Sequence, residues 1–333
     1  MRSTTLLLYK CLLTLKRFPR SKGFTLLELL ISIVVASLVI SGLLYVVVEL
    51  VTLDNQESRL DQVQLDTKRA MDYITNDLQE AVYVYEDPSR IATELASDSN
   101  FPNGTGNIPV LSFWRIDPIE DNIPACVAGS STAAACEVLS IRQAAYTLVV
   151  YIQTENNGNS NWPGQSRIIR YELSKYSDLS TFTVRSGYRD PTDPTDENAP
   201  FEVWTADGTP SGTSAVLVDF IAAPDIELNR APLSDAGAAC SSYGSDAGVN
   251  FYNVSPSTAT TTANTSFFAC VRSSDPDNDP STTNRENQDV YVFLRGSAQA
   301  ASSFQRYAYS EESSLPMLET QVLVKGIIDK NLN

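Results

Sequence analysis

The sequence predicts an α+β chain in which one long N-terminal helix precedes a largely antiparallel β domain with long loops. Three observations carry that expectation. Residues 24–48 form an apolar run containing one charge, Glu28. The residues after it repeat apolar or small side chains at steps of three and four, the period of one helix face. Beyond Pro88 the pattern changes to short segments rich in β-branched and aromatic residues, separated by polar turns, which is the signature of strands.

The apolar run, FTLLELLISIVVASLVISGLLYVVV, extends about 37 Å as a helix, enough to cross a ~30 Å hydrocarbon layer with some tilt. Its flanks set the orientation. Residues 1–23 carry Arg2, Lys10, Lys16, Arg17, Arg20 and Lys22 and no acid, so this end stays cytoplasmic and the chain after Glu49 is exported. The expected product is a single-pass protein of the plasma (inner) membrane. A secretory signal peptide is the rival reading, but its apolar core spans ~7–15 residues and ends in a small-residue cleavage site. This run is longer, and it begins at its glycine junction. Glu28 stands out within it, because an ionised carboxylate in a membrane span costs roughly 2.5–3.5 kcal/mol and needs a partner or a function.

After the span, Leu53, Leu60, Val63, Thr67, Ala70, Met71, Ile74, Leu78, Ala81, Val82 and Tyr85 trace one helix face. Asp61, Asp66, Lys68, Arg69, Asp72, Asp77 and Glu80 lie between them and are expected on a solvated opposite face. Asp87-Pro88 supplies the stop, because proline disfavours helix at the residue before it. One helix from residue 24 to about 86 is expected, roughly 95 Å long, with Ser41-Gly42 as the place for a bend. Its membrane half covers 24–53 and its amphipathic half 54–87, where the stripe reads as core packing. Residues 88–333 form the exported domain.

In that domain strands are expected at 110–116, 138–142, 146–153, 167–173, 182–185, 215–221, 267–272, 290–295 and 321–328, with no later helix. Residues 190–198 read as a loop of Asp-Pro turns. Residues 224–289 are rich in Ser, Thr, Asn, Asp and Gly, broken only by 248–254 and 267–272, and read as a long surface insertion. Cys11 lies in the basic leader. Cys126, Cys136, Cys240 and Cys270 face an oxidising compartment; three pairings are possible, and the short spacings favour Cys126 with Cys136 and Cys240 with Cys270, each stapling a loop with little core of its own. A metal site of four thiolates is the rival, but no CxxC pair exists. Asp275, Asp277, Asp279 and Glu286 have the first, third, fifth and twelfth spacing of a calcium loop. Pro280 stands where that loop needs glycine, so a solvated loop is the better reading.

Composition excludes further classes. With no histidine, no Ser-His-Asp triad, His-ligated zinc or imidazole base can be built. A net charge of −16 repels a phosphate backbone, so nucleic acid is not an expected partner. No Gly-rich Lys-Ser/Thr phosphate loop is present, no cofactor is expected, and the chain is expected not to be an enzyme. Carboxylates such as Glu155 and Glu172 read as ordinary surface acids rather than a glycosidase pair.

Ser21-Lys22-Gly23-Phe24-Thr25-Leu26-Leu27-Glu28 resembles the prepilin signature of type IV pilins and pseudopilins. The resemblance implies a pilin-like fold, removal of leader 1–23 by a membrane-embedded prepilin peptidase that cuts between Gly23 and Phe24, N-methylation of Phe24, and an assembly role for Glu28. The implied partners are that peptidase, other major and minor pilins or pseudopilins, an inner-membrane assembly platform and the lipid bilayer. Downstream, the stretch Gly106-Asn107-Ile108-Pro109-Val110-Leu111-Ser112-Phe113-Trp114, the Cys126/Cys136 pair, the run Asn287-Gln288-Asp289-Val290-Tyr291-Val292-Phe293-Leu294-Arg295-Gly296 and the tail from Leu315 to Gly326 resemble the cyanobacterial hormogonium polysaccharide secretion pseudopilins of the HpsC type. That likeness implies a minor subunit of a pilus-like cell-surface or periplasmic filament supporting polysaccharide secretion and gliding motility, with an exported polysaccharide as a further partner. A minor pilin of a twitching or DNA-uptake pilus, a type II secretion pseudopilin, and a filament-borne carbohydrate-binding adhesin stacking sugars on Trp114, Trp162 or Trp204 stand as alternatives.

Overall fold

The computed structural model describes residues 23–119, 126, 129, 132–157, 161–224, 236–246, 249–259, 266–273, 287–298 and 315–326. Cys11 and the candidate calcium loop of Asp275, Asp277, Asp279 and Glu286 lie outside the described residues. The chain divides into two compact units, Met1–Asn55 and Gln56–Asn333. Helix α1 (Leu26–Gln79) begins in the first and ends in the second.

The second unit is built on two antiparallel sheets. Five strands form the first: β1 (Ala81–Val84), β2 (Asn107–Pro118), β3 (Ala144–Glu155), β4 (Ser166–Ser174) and β7 (Thr213–Ile221), side by side in that order. Two-stranded ribbons are made by β5 (Tyr176–Asp178) with β6 (Thr183–Val184), and by β8 (Ser245–Asp246) with β9 (Val249–Asn250). The second large sheet orders β10 (Tyr252–Ser255), β11 (Phe267–Arg272), β12 (Asp289–Leu294) and β13 (Leu318–Leu323). Three short helices are added: α2 (Pro88–Leu95), α3 (Ala133–Arg142) and α4 (Ala236–Ser242).

Alternation along the strands explains the layering, since successive side chains point to opposite faces. Phe113, Val149, Tyr151 and Ile168 face one way and pack with Ala70, Met71, Ile74 and Leu78 of α1, and with Phe267, Ala269, Val271, Val290, Val292 and Val322 of the second sheet. Trp114, Leu148, Val150, Tyr171 and Leu173 face the other way, against Ile91 and Leu95 of α2 and against Tyr188, Phe201 and Trp204. Phe268, Cys270 and Phe293 turn to the outer side of the second sheet, under Ala236 and Cys240 of α4. With both faces of both sheets covered, the strands read as nearly continuous apolar runs. Backbone groups stitch the sheet edges together. The Gln288 side chain donates to the Val84 carbonyl and accepts from its N–H, both at 2.9 Å. At the opposite edge Ala222 N–H donates to the Arg295 carbonyl at 3.0 Å.

Several elements differ from the sequence expectation. The helix ends at Gln79 rather than about 86, because Ala81-Val82-Tyr83-Val84 pairs with β2; the three β-favouring residues Val82, Tyr83 and Val84 gain a sheet edge that a further helical turn would not supply. Pro88 opens a helix instead of ending one. It sits in the first turn, where a missing N–H costs nothing, and Asp87 caps it by accepting from the Ser89 N–H at 3.0 Å. Residues 138–142, expected as a strand, complete α3. Three successive alanines favour helix there, Cys136 and Leu139 bury the same face, and Gln143 closes the helix in the left-handed region at φ 50°. The segment 224–289 is more than a surface insertion, since it supplies β10 and β11 and sends Phe267, Ala269 and Val271 into the central core. Leu53 is exposed, so the buried stripe of α1 starts near Leu60 and Val63.

Asp77 is the sharpest reversal. It is only 6 % exposed, on the stripe and not opposite it. Its Oδ1 accepts from Arg115 Nη1 of β2 at 2.5 Å, while Oδ2 accepts from Tyr151 OH of β3 at 2.6 Å and from Arg170 Nε of β4 at 2.7 Å. Asp117 and Glu172 hold the far sides of the two guanidinium groups, at 2.7 and 2.5 Å. Burial alone would lower the Arg170 pKa, but its hydrogen bonds to Glu172 and Asp77 outweigh that, and the net direction is up. Burial first, then the Asp77 charge, push the Tyr151 phenol well above its ordinary value. Asp98 makes a smaller version of this arrangement, accepting from Tyr171 OH at 2.7 Å and from the Gly212 N–H at 2.6 Å. Gly212 is required there, because a Cβ would collide with the Tyr171 ring.

Two predictions follow from the buried acids and phenols. Asp77→Ala leaves two guanidinium groups without their shared anion and should cost about 3–5 kcal/mol in denaturant unfolding, whereas Asp72→Ala on the exposed face should stay within ~0.5 kcal/mol. Tyr85, Tyr151, Tyr171 and Tyr188 all have raised pKa values, with burial as the largest cause. The folded state therefore holds these protons more tightly than the unfolded chain. Their stabilising contribution is complete below about pH 10 and is lost as the pH rises beyond it. In an alkaline titration followed at the tyrosinate absorbance, these four should ionise only together with loss of the fold.

Candidate functional site

The N-terminal stretch that begins at Gly23 is shaped by local helix physics. Thr25 stands at the start of α1: its carbonyl accepts from the Leu29 N–H at 3.2 Å and its Oγ1 from the Glu28 N–H at 3.3 Å. Thr25-Leu26-Leu27-Glu28 has the Ser/Thr-x-x-Glu spacing of a capping box. The first turn thus places a carboxylate near the positive end of the helix dipole. That contributes about 0.3–1 kcal/mol, well short of the roughly 2.5–3.5 kcal/mol that an ionised carboxylate costs in a span. The difference is left to a partner from outside the helix.

The remaining polar side chains of the apolar half are satisfied within the helix. Ser32 Oγ donates to the Glu28 carbonyl at 2.7 Å, Ser37 Oγ to Val34 at 2.8 Å and Ser41 Oγ to Ser37 at 2.7 Å. The Glu28 carboxylate itself has no side-chain partner among the described residues. Mean hydropathy reaches 2.7 over an 18-residue window of α1, and none of that window is buried within the chain. The helix runs unbroken through Ser41-Gly42. Phe24 is 76 % exposed, and a Cβ added at Gly23 would meet nothing within 4 Å. Packing therefore does not explain the glycine.

The cysteines form Cys126–Cys136 and Cys240–Cys270, with Cα–Cα separations of 5.5 and 5.2 Å. The second bond does not staple a loop without a core: Cys240 and Cys270 are buried with Tyr252, Phe268 and Phe293. Two of the three tryptophans offered as sugar platforms are core residues. Trp114 and Trp204 are fully buried, and their indole N–H groups donate to Tyr85 OH and to the Arg189 carbonyl, both at 2.9 Å. Trp162 is half-buried at the surface. Glu172 is engaged by Arg170 as part of the Asp77 network. Sequence reasoning missed that network, although two arginines at core-facing positions of apolar strands were its signal.

Comparison with known proteins places a match only at the N-terminus: residues 18–44 fit the prokaryotic N-terminal methylation motif, spanning Gly23, Phe24 and Glu28. No curated protein and no solved structure matches the chain. An apolar helix that opens three residues after Gly23 is consistent with single-pass membrane anchoring, and the motif implies processing by a prepilin peptidase and assembly with other pilins. The chain thus carries the N-terminal methylation motif of the type IV pilin-like family, pilins and pseudopilins together, on an α+β fold of pilin-like architecture.

Proposed function

We propose that the chain is a minor pilin or pseudopilin, cleaved between Gly23 and Phe24, methylated on the Phe24 amine, and inserted into a type IV pilus-like filament through Glu28. The observation that carries this reading is the Glu28 carboxylate, set into an apolar helix at the motif and without a cation from its own described residues. Cleavage frees an amine on Phe24. A methylated amine still protonates, so the cation survives the modification. Paired with the carboxylate of a staggered neighbour at ~4 Å and an effective dielectric of ~20, it is worth about 4 kcal/mol before desolvation, which exceeds the insertion cost. The open surroundings of Gly23 fit a residue kept for an external peptidase and not for packing.

On this reading the chain is a structural subunit and not an enzyme. Its N-terminus is cytoplasmic, and its β domain is exported first to the inner-membrane surface and then into the filament. An exported domain of this bulk suits a minor position, such as a tip or initiation complex, better than a repeating shaft. The assignment to polysaccharide secretion and gliding motility, with an inner-membrane assembly platform as partner, rests on the downstream sequence resemblance alone. A second reading, a carbohydrate-binding subunit, is favoured by the surface position of Trp162.

The test is mass spectrometry of sheared surface filaments, which should find a chain that starts at Phe24 with one methyl group on its amine. Glu28→Ala should be processed normally yet be missing from filaments. A chain that retains Met1 and stays in the membrane, or normal incorporation of the Glu28 variant, would overturn the assignment.

A further inference from the structure

The second unit holds a groove of about 520 Å³, within the usual range of small-ligand sites. One wall is a face of α1 carrying Asp66, Arg69 and Tyr73. The other is the end of β7, with Asp219 and Phe220, and Trp162 from the β3–β4 connection completes it. None of these side chains belongs to the N-terminal motif.

Three features make this a built site. Phe220 has φ 59°, a left-handed conformation that a bulky aromatic adopts only at a cost of about 1–3 kcal/mol. It lies where the register between β4 and β7 shifts, between the Ser166–Ile221 and Ile168–Val218 pairs. The surroundings pin it. Its carbonyl accepts from the Ser297 N–H at 2.8 Å, and Gly164 lies so close that any Cβ there would strike the Phe220 backbone. Asp219 next to it is fixed by the Asn156 amide at 2.7 Å and the Gly164 N–H at 3.1 Å. The other two rings are held by guanidinium groups, Arg170 at 5.7 Å from the Tyr73 centroid and Arg167 at 5.9 Å from that of Trp162. The result is two oriented aromatic rings, Tyr73 and Trp162, beside Phe220 and bordered by two carboxylates and Arg69.

We propose that this groove binds a neutral oligosaccharide. The C–H face of a pyranose ring carries slight positive charge and stacks on the negative face of an aromatic ring. Its hydroxyls both donate and accept, which suits Asp66, Asp219 and Arg69 at the border. An anionic polymer is disfavoured by the chain's net charge of −16. Addition of a peptide strand to β7 is the competing use, because β7 is the edge of its sheet. The bulge at Phe220 works against it, since such irregularities interrupt edge pairing. The inference rests on the groove alone and holds whether or not the chain enters a filament.

The experiment uses the full chain in lipid nanodiscs, free of glycoside detergents, with cellotetraose, maltotetraose and chitotetraose as probes and tetragalacturonate as the anionic counterpart. At least one neutral tetrasaccharide should give a saturable change in tryptophan fluorescence, and tetragalacturonate none. Because Trp114 and Trp204 are fully buried, the signal reports on Trp162. By calorimetry, Trp162→Ala and Asp66→Asn should each weaken binding by about ten-fold without moving the thermal unfolding midpoint. Tyr73→Ala should behave alike; if it perturbs the fold, the other two variants decide. The proposal is overturned if no neutral tetrasaccharide binds up to about 10 mM. It is also overturned if both variants keep full affinity, or if an extended peptide alone alters the Trp162 signal.

Discussion

A carboxylate taken out of water has to be met by hydrogen-bond donors or by a cation, and that constraint bears on both halves of α1. Asp77 meets it within the chain. Arg115 and Arg170 come from strands that are not adjacent in the sheet, and Tyr151 comes from the strand between them. The helix is thereby fixed against three strands at once, and its register on the sheet cannot slip by a turn without stranding three charges. Such an arrangement adds little net stability over an apolar contact of the same size, because each ion is desolvated at a cost of several kcal/mol. What it adds is uniqueness of docking.

Glu28 poses the same problem in a helix half with no arginine or lysine among its described residues. The capping geometry at Thr25 offsets only a fraction of the cost. The proposed amine of a neighbouring Phe24 would do for Glu28 what Arg115 and Arg170 do for Asp77, with the difference that the partner arrives from another subunit. A contact satisfied in cis makes a fold, and one satisfied in trans makes an assembly. On the same reasoning the proposed proteolysis would have to come first: before cleavage the Phe24 nitrogen is an amide and carries no charge.

The sequence made the helices and strands with long or unambiguous patterns legible. The apolar run announced α1, and the β-branched segments announced β2, β3, β4, β7, β11 and β12 within a few residues at each end. The failures came where two physical signals competed over a short stretch. Val138-Leu139-Ser140-Ile141-Arg142 alternates like a strand, but five residues cannot separate the two periods, and the alanines ahead of them settle it as helix. Asp-Pro stops one helix as readily as it starts another. Asp77 follows Ile74 by three and Ala70 by seven, which is the spacing of the buried stripe, yet its charge argued for solvent. Only the arrival of two arginines from residues 115 and 170 resolves that conflict, and no local window contains them. The groove at Trp162 and Phe220 was illegible for a related reason, since it depends on a bulge and on a left-handed backbone that periodicity does not encode.

Charge decides which surface can drive the proposed association. Loss of residues 1–23 takes six basic side chains with it and leaves 18 basic against 40 acidic ones, a side-chain net charge of −22. Copies of so acidic a domain repel one another, and the repulsion reaches about 8–10 Å at physiological salt. On the proposed reading, domains of this kind would not supply the attraction between subunits. It would come from the helices, whose apolar half is exposed on every side and would carry one anion and, after the proposed cleavage, one cation. On that reading an acidic outer domain would keep unassembled subunits apart until their helices meet in the membrane, so that repulsion outside and attraction inside act on the same chain without conflict.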